Sequence, residues 1–239
     1  MTVDQVIALG ASIGACMSAI AAFFAVRQSS IHSKASYKPE LVIARSRFEC
    51  ESEVSIPYEW KTPDSENKEI DFMKLYSVPL HNVGLGAAKE VSIKWSFPID
   101  QMVSSVNEIA QKSLISAYFE FKNGLLSFKS EKMPENTSIW KNQQNHTVDF
   151  VLPSPVNEAP VQLTIPLSFT QLASALVYFS ANTRDFNSIP DIPVLKAEMS
   201  YLDIGGSKHS CTINLKTNIH MVMNKGKSFS GQIESYKSA

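Results

Sequence analysis

The chain has little of what most catalytic or metal centres are built from. Its 239 residues hold three scattered cysteines, Cys16, Cys50 and Cys211. Cys16 falls in an apolar run, which leaves a single possible pair: no disulfide framework, and a pattern that suits a reducing compartment at least as well. No phosphate-binding loop of the P-loop type occurs and no Gly-x-Ser-x-Gly elbow, the devices that cradle a phosphate or expose a nucleophilic serine. Gly84-Leu85-Gly86 is followed by Val91-Ser-Ile-Lys-Trp95, which reads as a strand where a dinucleotide fingerprint needs a helix. Basic and acidic residues number 22 and 23 and are well mixed, for a net charge of −1, which excludes the basic footprint of a direct nucleic-acid binder.

Isolated chemistry-bearing residues do not assemble into a centre. His209 and Cys211 alternate onto one strand face, His220 sits on what reads as the next strand, and no further ligand is evident. A satisfied surface histidine and a buried thiol account for them, so neither metal nor cofactor is expected. Asp203 belongs to an Asp-Ile-Gly-Gly turn, where aspartate bonds its own backbone. Glu49, Glu51 and Glu53 share the solvated face of an edge-like strand. Trp60, Trp95 and Trp140 are too separated for an aromatic strip, and Trp95 alternates with Ile93 and Phe97 as core. The expectation is a protein that is not an enzyme, with no catalytic residues.

What is present is one long charge-free apolar run, Val6 to Val26. A bilayer-crossing helix needs about 20 such residues. A cleaved signal peptide and a buried or interfacial helix are the competing readings, but Met1 to Gln5 carry Asp4 and no basic residue, where a signal peptide needs a basic start. The expected organisation is a short extracytoplasmic N-terminus (1–5), a transmembrane helix (6–27), a juxtamembrane linker (28–37), a β domain (38–224) and a flexible tail (225–239). Arg27, Lys34, Lys38, Arg45 and Arg47 follow the run, opposed by Glu40, and this bias puts the C-terminal side in the cytoplasm. Gly10, Gly14, Ser18 and Ala22 recur every fourth residue along one helix face, where a second backbone can approach closely. The spacing points to self-association; the plain alternative is that small residues are common in membrane helices.

Beyond the linker, period-two alternation begins at Glu40–Phe48 and returns near residues 72–80, 90–97, 117–121, 125–129, 147–152, 161–165, 195–202, 210–216 and 219–223. Glycine-bearing turns separate these runs at Asn82-Val-Gly-Leu-Gly, Lys122-Asn-Gly and Asp203-Ile-Gly-Gly-Ser, and many short strands divided so predict an antiparallel sandwich. Two segments have helical spacing: 101–114, with Met102, Val106, Ile109 and Ala110 on one face, and a segment opened by Ser168-Phe-Thr-Gln171, which reads as a capping box. Both are expected to cover an open edge or end of the sheet. Residues 182–193 read as a loop, in which Arg184, Asp185 and Phe186 form a candidate binding site.

Leu80-His-Asn-Val-Gly-Leu-Gly-Ala-Ala-Lys-Glu-Val-Ser-Ile-Lys-Trp resembles a recurrent strand-turn-strand pattern of bacterial Ig-like β-sandwich domains, and Met199-Ser-Tyr-Leu-Asp-Ile-Gly-Gly-Ser-Lys-His is similar to their late hairpin. The resemblance implies a fold: a mainly β protein, an N-terminal membrane helix followed by an antiparallel Ig-like sandwich with two inserted helices. It implies no activity. The architecture resembles short bacterial membrane proteins of stress or phage-defence pathways. Its implied function is a single-pass effector or signalling subunit in the bacterial inner membrane, whose sandwich binds a protein partner or small ligand. The alternatives are a passive tether or assembly factor and, from another class, an enzyme with an unrecognised site.

Overall fold

The computed structural model describes residues 2–53, 55–63, 75–113, 115–156, 159–183 and 189–237, apart from the side chains of 5, 6, 8, 9, 11 and 31–36. Helix α1 spans Val3–Ser36, so the expected linker is helical almost to its end. The body is mainly β and antiparallel. Its principal sheet has six strands in the order β2 (Ser46–Glu51), β12 (Ser228–Lys237), β11 (Lys208–Met223), β10 (Leu195–Leu202), β4 (Ala88–Ser96) and β8 (Asn145–Val151). A second sheet joins β1 (Leu41–Ile43), β3 (Ser77–Asn82) and β9 (Val161–Thr164), and a meander joins β5 (Ala117–Lys122), β6 (Leu125–Ser130) and β7 (Asn136–Ile139). The sheets are sandwich-like, but six, three and three strands are not the four-plus-three of a minimal immunoglobulin sandwich.

Several sequence expectations need correction. The single strand expected over Glu40–Phe48 is two: after Ile43 the chain crosses from the small sheet to the large one, as sandwich corners do. The two strands expected over 210–223 are one 16-residue strand with a register shift between Ile219 and Met221. The tail expected to be flexible forms β12, an interior strand paired to β11 and β2. Its inward alternation runs Phe229, Gly231, Ile233. At Gly231 a side chain would collide with the Phe48 ring and the Asn218 carbonyl, so the position that breaks the apolar pattern is a glycine with an aromatic ring over it.

Helix α2 (Ile99–Lys112) buries Ile99, Met102, Val103, Val106 and Ala110, close to the face read from spacing. Asn107 holds it to the meander edge, donating to the Phe119 carbonyl and accepting from the Phe119 amide, both at 2.8 Å. A short helix α3 (Trp140–Gln143) follows β7. Helix α4 (Leu167–Ala181) is no cover: nearly every residue from Ser168 to Ser180 is buried. Nor does a capping box start it. The N-cap is Pro166, and Ser168 lies inside the first turn. Its amide and hydroxyl both donate to Gln143 Oε1, at 2.9 and 3.1 Å, while Gln171 Nε2 donates to Asn136 Oδ1 at 3.1 Å. Against α4 packs an aromatic cluster in which Phe48 and Trp60 stack at 3.9 Å, with Tyr76, Phe229 and Phe169 edge-on around the pair. Trp60 Nε1 donates to Ser174 Oγ at 2.9 Å, which makes the indole tolerable in a dry core.

Asn82 ties the entry of the chain to this body. It is 1% exposed. Its Oδ1 accepts from the amides of Glu40 and Gly84, both at 3.0 Å, and its Nδ2 donates to the carbonyls of Gly86 at 2.7 Å and Val151 at 3.0 Å. The glycines of this turn are needed for close approach: side chains at Gly84 and Gly86 would overlap the backbone of Tyr37, Lys38 and Glu40. Replacing Asn82 by alanine strands the buried Gly86 and Val151 carbonyls and frees the part-buried Glu40 and Gly84 amides, and is expected to cost about 3 kcal/mol. Asn82→Asp keeps both acceptor bonds and should lie between the two. Urea unfolding of the full chain in detergent micelles checks the order.

Candidate functional site

Two regions carry unusual surface chemistry, and the first is α1. Its apolar side chains point to solvent on all sides, with Ile13, Met17, Ile20, Phe23, Phe24 and Val26 each more than half exposed, and no element shares an extended contact with it among the described residues. Gly10, Gly14, Ser18 and Ala22 lie on this helix as expected, all exposed, and a side chain added at Gly10 or Gly14 would meet nothing. At 34 residues the helix is roughly 50 Å long. No helix among the described residues is long and apolar enough to cross a membrane; the stretch 12–30, whose side chains are described, takes in Arg27, Gln28, Ser29 and Ser30 beside its apolar residues. The transmembrane segment expected over 6–27 is therefore not found among them.

The residues expected to set topology divide. Arg27 is exposed on α1 and Lys38 is exposed just after it, while the side chain of Lys34 lies outside the described residues. Arg45 and Arg47 belong to the folded body: Arg45 pairs with Glu234 at 3.0 Å, and Arg47 is an outward residue of β2. Arg184, Asp185 and Phe186 lie outside the described residues.

The second region is the β10–β11 hairpin. Pairing of Tyr201 with His209 sets their rings against each other, centroids 5.5 Å apart and 26° between planes. Asp203 Oδ1 accepts the Ser207 amide at 2.8 Å, the turn bond expected of it, and Oδ2 meets His209 Nε2 at 2.9 Å. The bond from His209, then that from the Ser207 amide, hold the Asp203 carboxyl below its ordinary range. Tyr201 Oη donates to the Pro39 carbonyl at 3.3 Å, so this cluster also grips the chain as it leaves α1. Sequence reading placed Asp203 and His209 separately and missed that a tight hairpin, with residues 203–207 between its strands, brings them together. His220 does not approach His209 and Cys211. It stands eleven residues further along the same strand, on the order of 30 Å away, and no group of three or more His, Cys, Asp or Glu that could hold a metal occurs among the described residues.

Two of the thiols, Cys50 and Cys211, are held in the protonated form. Cys50 is buried, donates to the Pro57 carbonyl at 2.9 Å, and burial pushes its thiol far up; Cys211 is raised for the same reason. A thiol that stays protonated is a poor nucleophile. A cavity between Ile56, Tyr58, Phe119, Phe128 and Gln171 has about 10 Å³ inside it, near the minimum for a single water.

No known protein family, curated protein or solved structure matches the chain.

The Asp203–His209 pair carries a pH signature. A carboxyl held below its unfolded value contributes stability that is full above the ordinary aspartate range and is lost as pH falls through the lowered value. Asp203→Asn should therefore destabilise the chain at neutral pH, with the difference from wild type closing only below about pH 4. Thermal unfolding of both proteins from pH 3 to 8 checks this; a difference that is the same at every pH would rule the linkage out.

Proposed function

We propose that the chain is a membrane-anchored, non-enzymatic effector or signalling subunit: α1 lodges in a bilayer and associates with copies of itself, and the β body, on the cytoplasmic side of a bacterial inner membrane, receives a protein partner or small ligand. The observation that carries this reading is the exposure of α1. A helix apolar on every side is not stable as an isolated element in water and belongs in a membrane or a large core. In the sequence, the charge-free run extends back through Leu9, Ala8 and Val6, which supports a bilayer over a soluble core. The cations nearest its C-terminal end, Arg27, Lys34 and Lys38, support cytoplasmic placement of the body. The unobstructed stripe of Gly10, Gly14, Ser18 and Ala22 supports helix pairing. A single helix cannot enclose a pore, so any perturbation of the membrane requires several copies.

Expression of the full chain in bacteria, followed with a voltage-sensitive dye, tests the effector reading. Depolarisation that is abolished by Gly14→Leu is the expected result, because a leucine there holds helices apart. Depolarisation that survives the substitution would refute association through this face. Unchanged potential with both proteins would favour the tether, which should also keep its function when α1 is exchanged for an unrelated membrane helix.

A further inference from the structure

The peptide group that joins Pro39 to Glu40, just past the end of α1, is held on both sides. Its carbonyl accepts the Tyr201 hydroxyl at 3.3 Å, and its amide donates to Asn82 Oδ1 at 3.0 Å. The Asn82 side chain carries no charge, so that side is the same at every pH. The Tyr201 side is built differently. The Tyr201 ring lies on the His209 ring, with centroids 5.5 Å apart and 26° between planes, and His209 Nε2 meets Asp203 Oδ2 at 2.9 Å. These three side chains form a line of contacts from the hairpin turn to the root of the helix.

We propose that His209 makes this line a pH-sensitive latch on the entry of the chain into the β body: protonated His209 holds Tyr201 against the Pro39 carbonyl, and loss of the proton slackens the hold. The latch is made of contacts within the body and does not depend on what receives α1. A neutral imidazole with its proton on Nε2 still donates to Asp203, but a protonated one donates as a cation to a carboxylate and sets positive charge against the face of the tyrosine ring. Around the pair stand Lys208 and Cys211 on β11 and Lys89 on β4, with Glu40 in the entry segment and Lys237 on β12. The lysines are cations throughout the neutral range. Burial keeps Cys211 protonated, and Lys237 holds the Glu40 carboxyl below its ordinary range. That leaves the imidazole as the group of a type that changes charge between about pH 5 and 8. Asp203 is itself held below the ordinary carboxyl range, so it stays ionised wherever the imidazole takes up its proton. The latch is therefore tight in mild acid and slack in mild alkali.

Hydrogen exchange at the Glu40 amide reads the latch directly, because that amide belongs to the peptide group Tyr201 holds. The Gly84 amide is the internal reference: the same Asn82 oxygen accepts it at 3.0 Å, and Tyr201 is not its partner. Exchange is followed by NMR on the full chain in detergent micelles near pH 6 and near pH 8, each rate divided by that of the unstructured peptide at the same pH. Protection at Glu40 is expected to fall about fivefold between the two, the size of one partly exposed ion pair and one cation–ring contact together, while Gly84 stays level. In His209→Gln, whose side-chain amide donates to Asp203 without titrating, the fall should vanish. In Tyr201→Phe, which keeps the ring and removes the hydroxyl, protection should be low at both pH values. Level protection at Glu40 in the wild type, an equal fall at Gly84, or a fall that survives either substitution would overturn the latch.

Discussion

The side chain of Asn82 is the constraint on which the rest of the molecule depends. One amide, almost wholly buried, accepts from Glu40 and Gly84 and donates to Gly86 and Val151. It thereby fixes the first strand, the turn before β4 and the end of β8 to one another. Each bond alone is modest in net terms, but the Gly86 and Val151 carbonyls are bonded in buried surroundings and are costly to leave without a partner, and loss of this one side chain releases all four bonds at once. The close approach that makes this geometry possible depends in turn on Gly84 and Gly86, because any larger residue would strike the backbone between Tyr37 and Glu40.

The buried polar residues of α4 are held in a similar way, although Gln171 Oε1 and Ser180 Oγ have no hydrogen-bond partner among the described residues. In α4, Ser168, Thr170, Gln171 and Ser174 are buried, an arrangement that would be prohibitive without partners. Most of these partners come from other elements: Gln143 and Ser138 for Ser168, Asn136 for Gln171, Trp60 for Ser174. The helix is thus addressed to its site by hydrogen bonds as well as by Phe169, Leu172, Leu176 and Phe179. At its other end Asn182 donates to the carbonyls of Tyr178 and Lys225 at 2.8 Å, and Gly226, in a left-handed conformation with φ of 79°, lets the β11–β12 turn lie on Tyr178.

These particulars separate what could be read from the sequence and what could not. Strands with branched or aromatic residues on alternate positions, such as Val91, Ile93 and Trp95, announce themselves, and so does α2, whose buried face has a 3.6-residue period. The strand β12 hides because its inward residues are Phe229, Gly231 and Ile233, and the glycine is chosen by a ring from another strand. The interior position of α4 hides because polar residues in a helix normally mark its solvent face; only partners far off in the same chain reverse the reading, and those lie up to 114 residues away in sequence. The apolar run of α1 was plain from composition. That the loops bearing Leu85, Val156 and Ile204 lie at one end of the sheet was not, since only strand register brings them there.

The junction also limits how the proposed effector can work. Helix α1 has no extended contact with the body among the described residues, so an event in the β domain reaches the helix through the segment that follows it, Tyr37 to Glu40. That segment is gripped at Glu40 by Asn82, the Val83 amide and Lys237, and at Pro39 by Tyr201. Tyr201 is stacked on His209, and His209 on Asp203 closes the hairpin. A ligand or partner can shift the state of the helix only by favouring one arrangement of these contacts over another. A partner that binds the far end of the sheet without disturbing them would hold the protein in place and leave the helix as it was. On this geometry the difference between an effector and a tether lies in whether binding loosens the grips on residues 37–40.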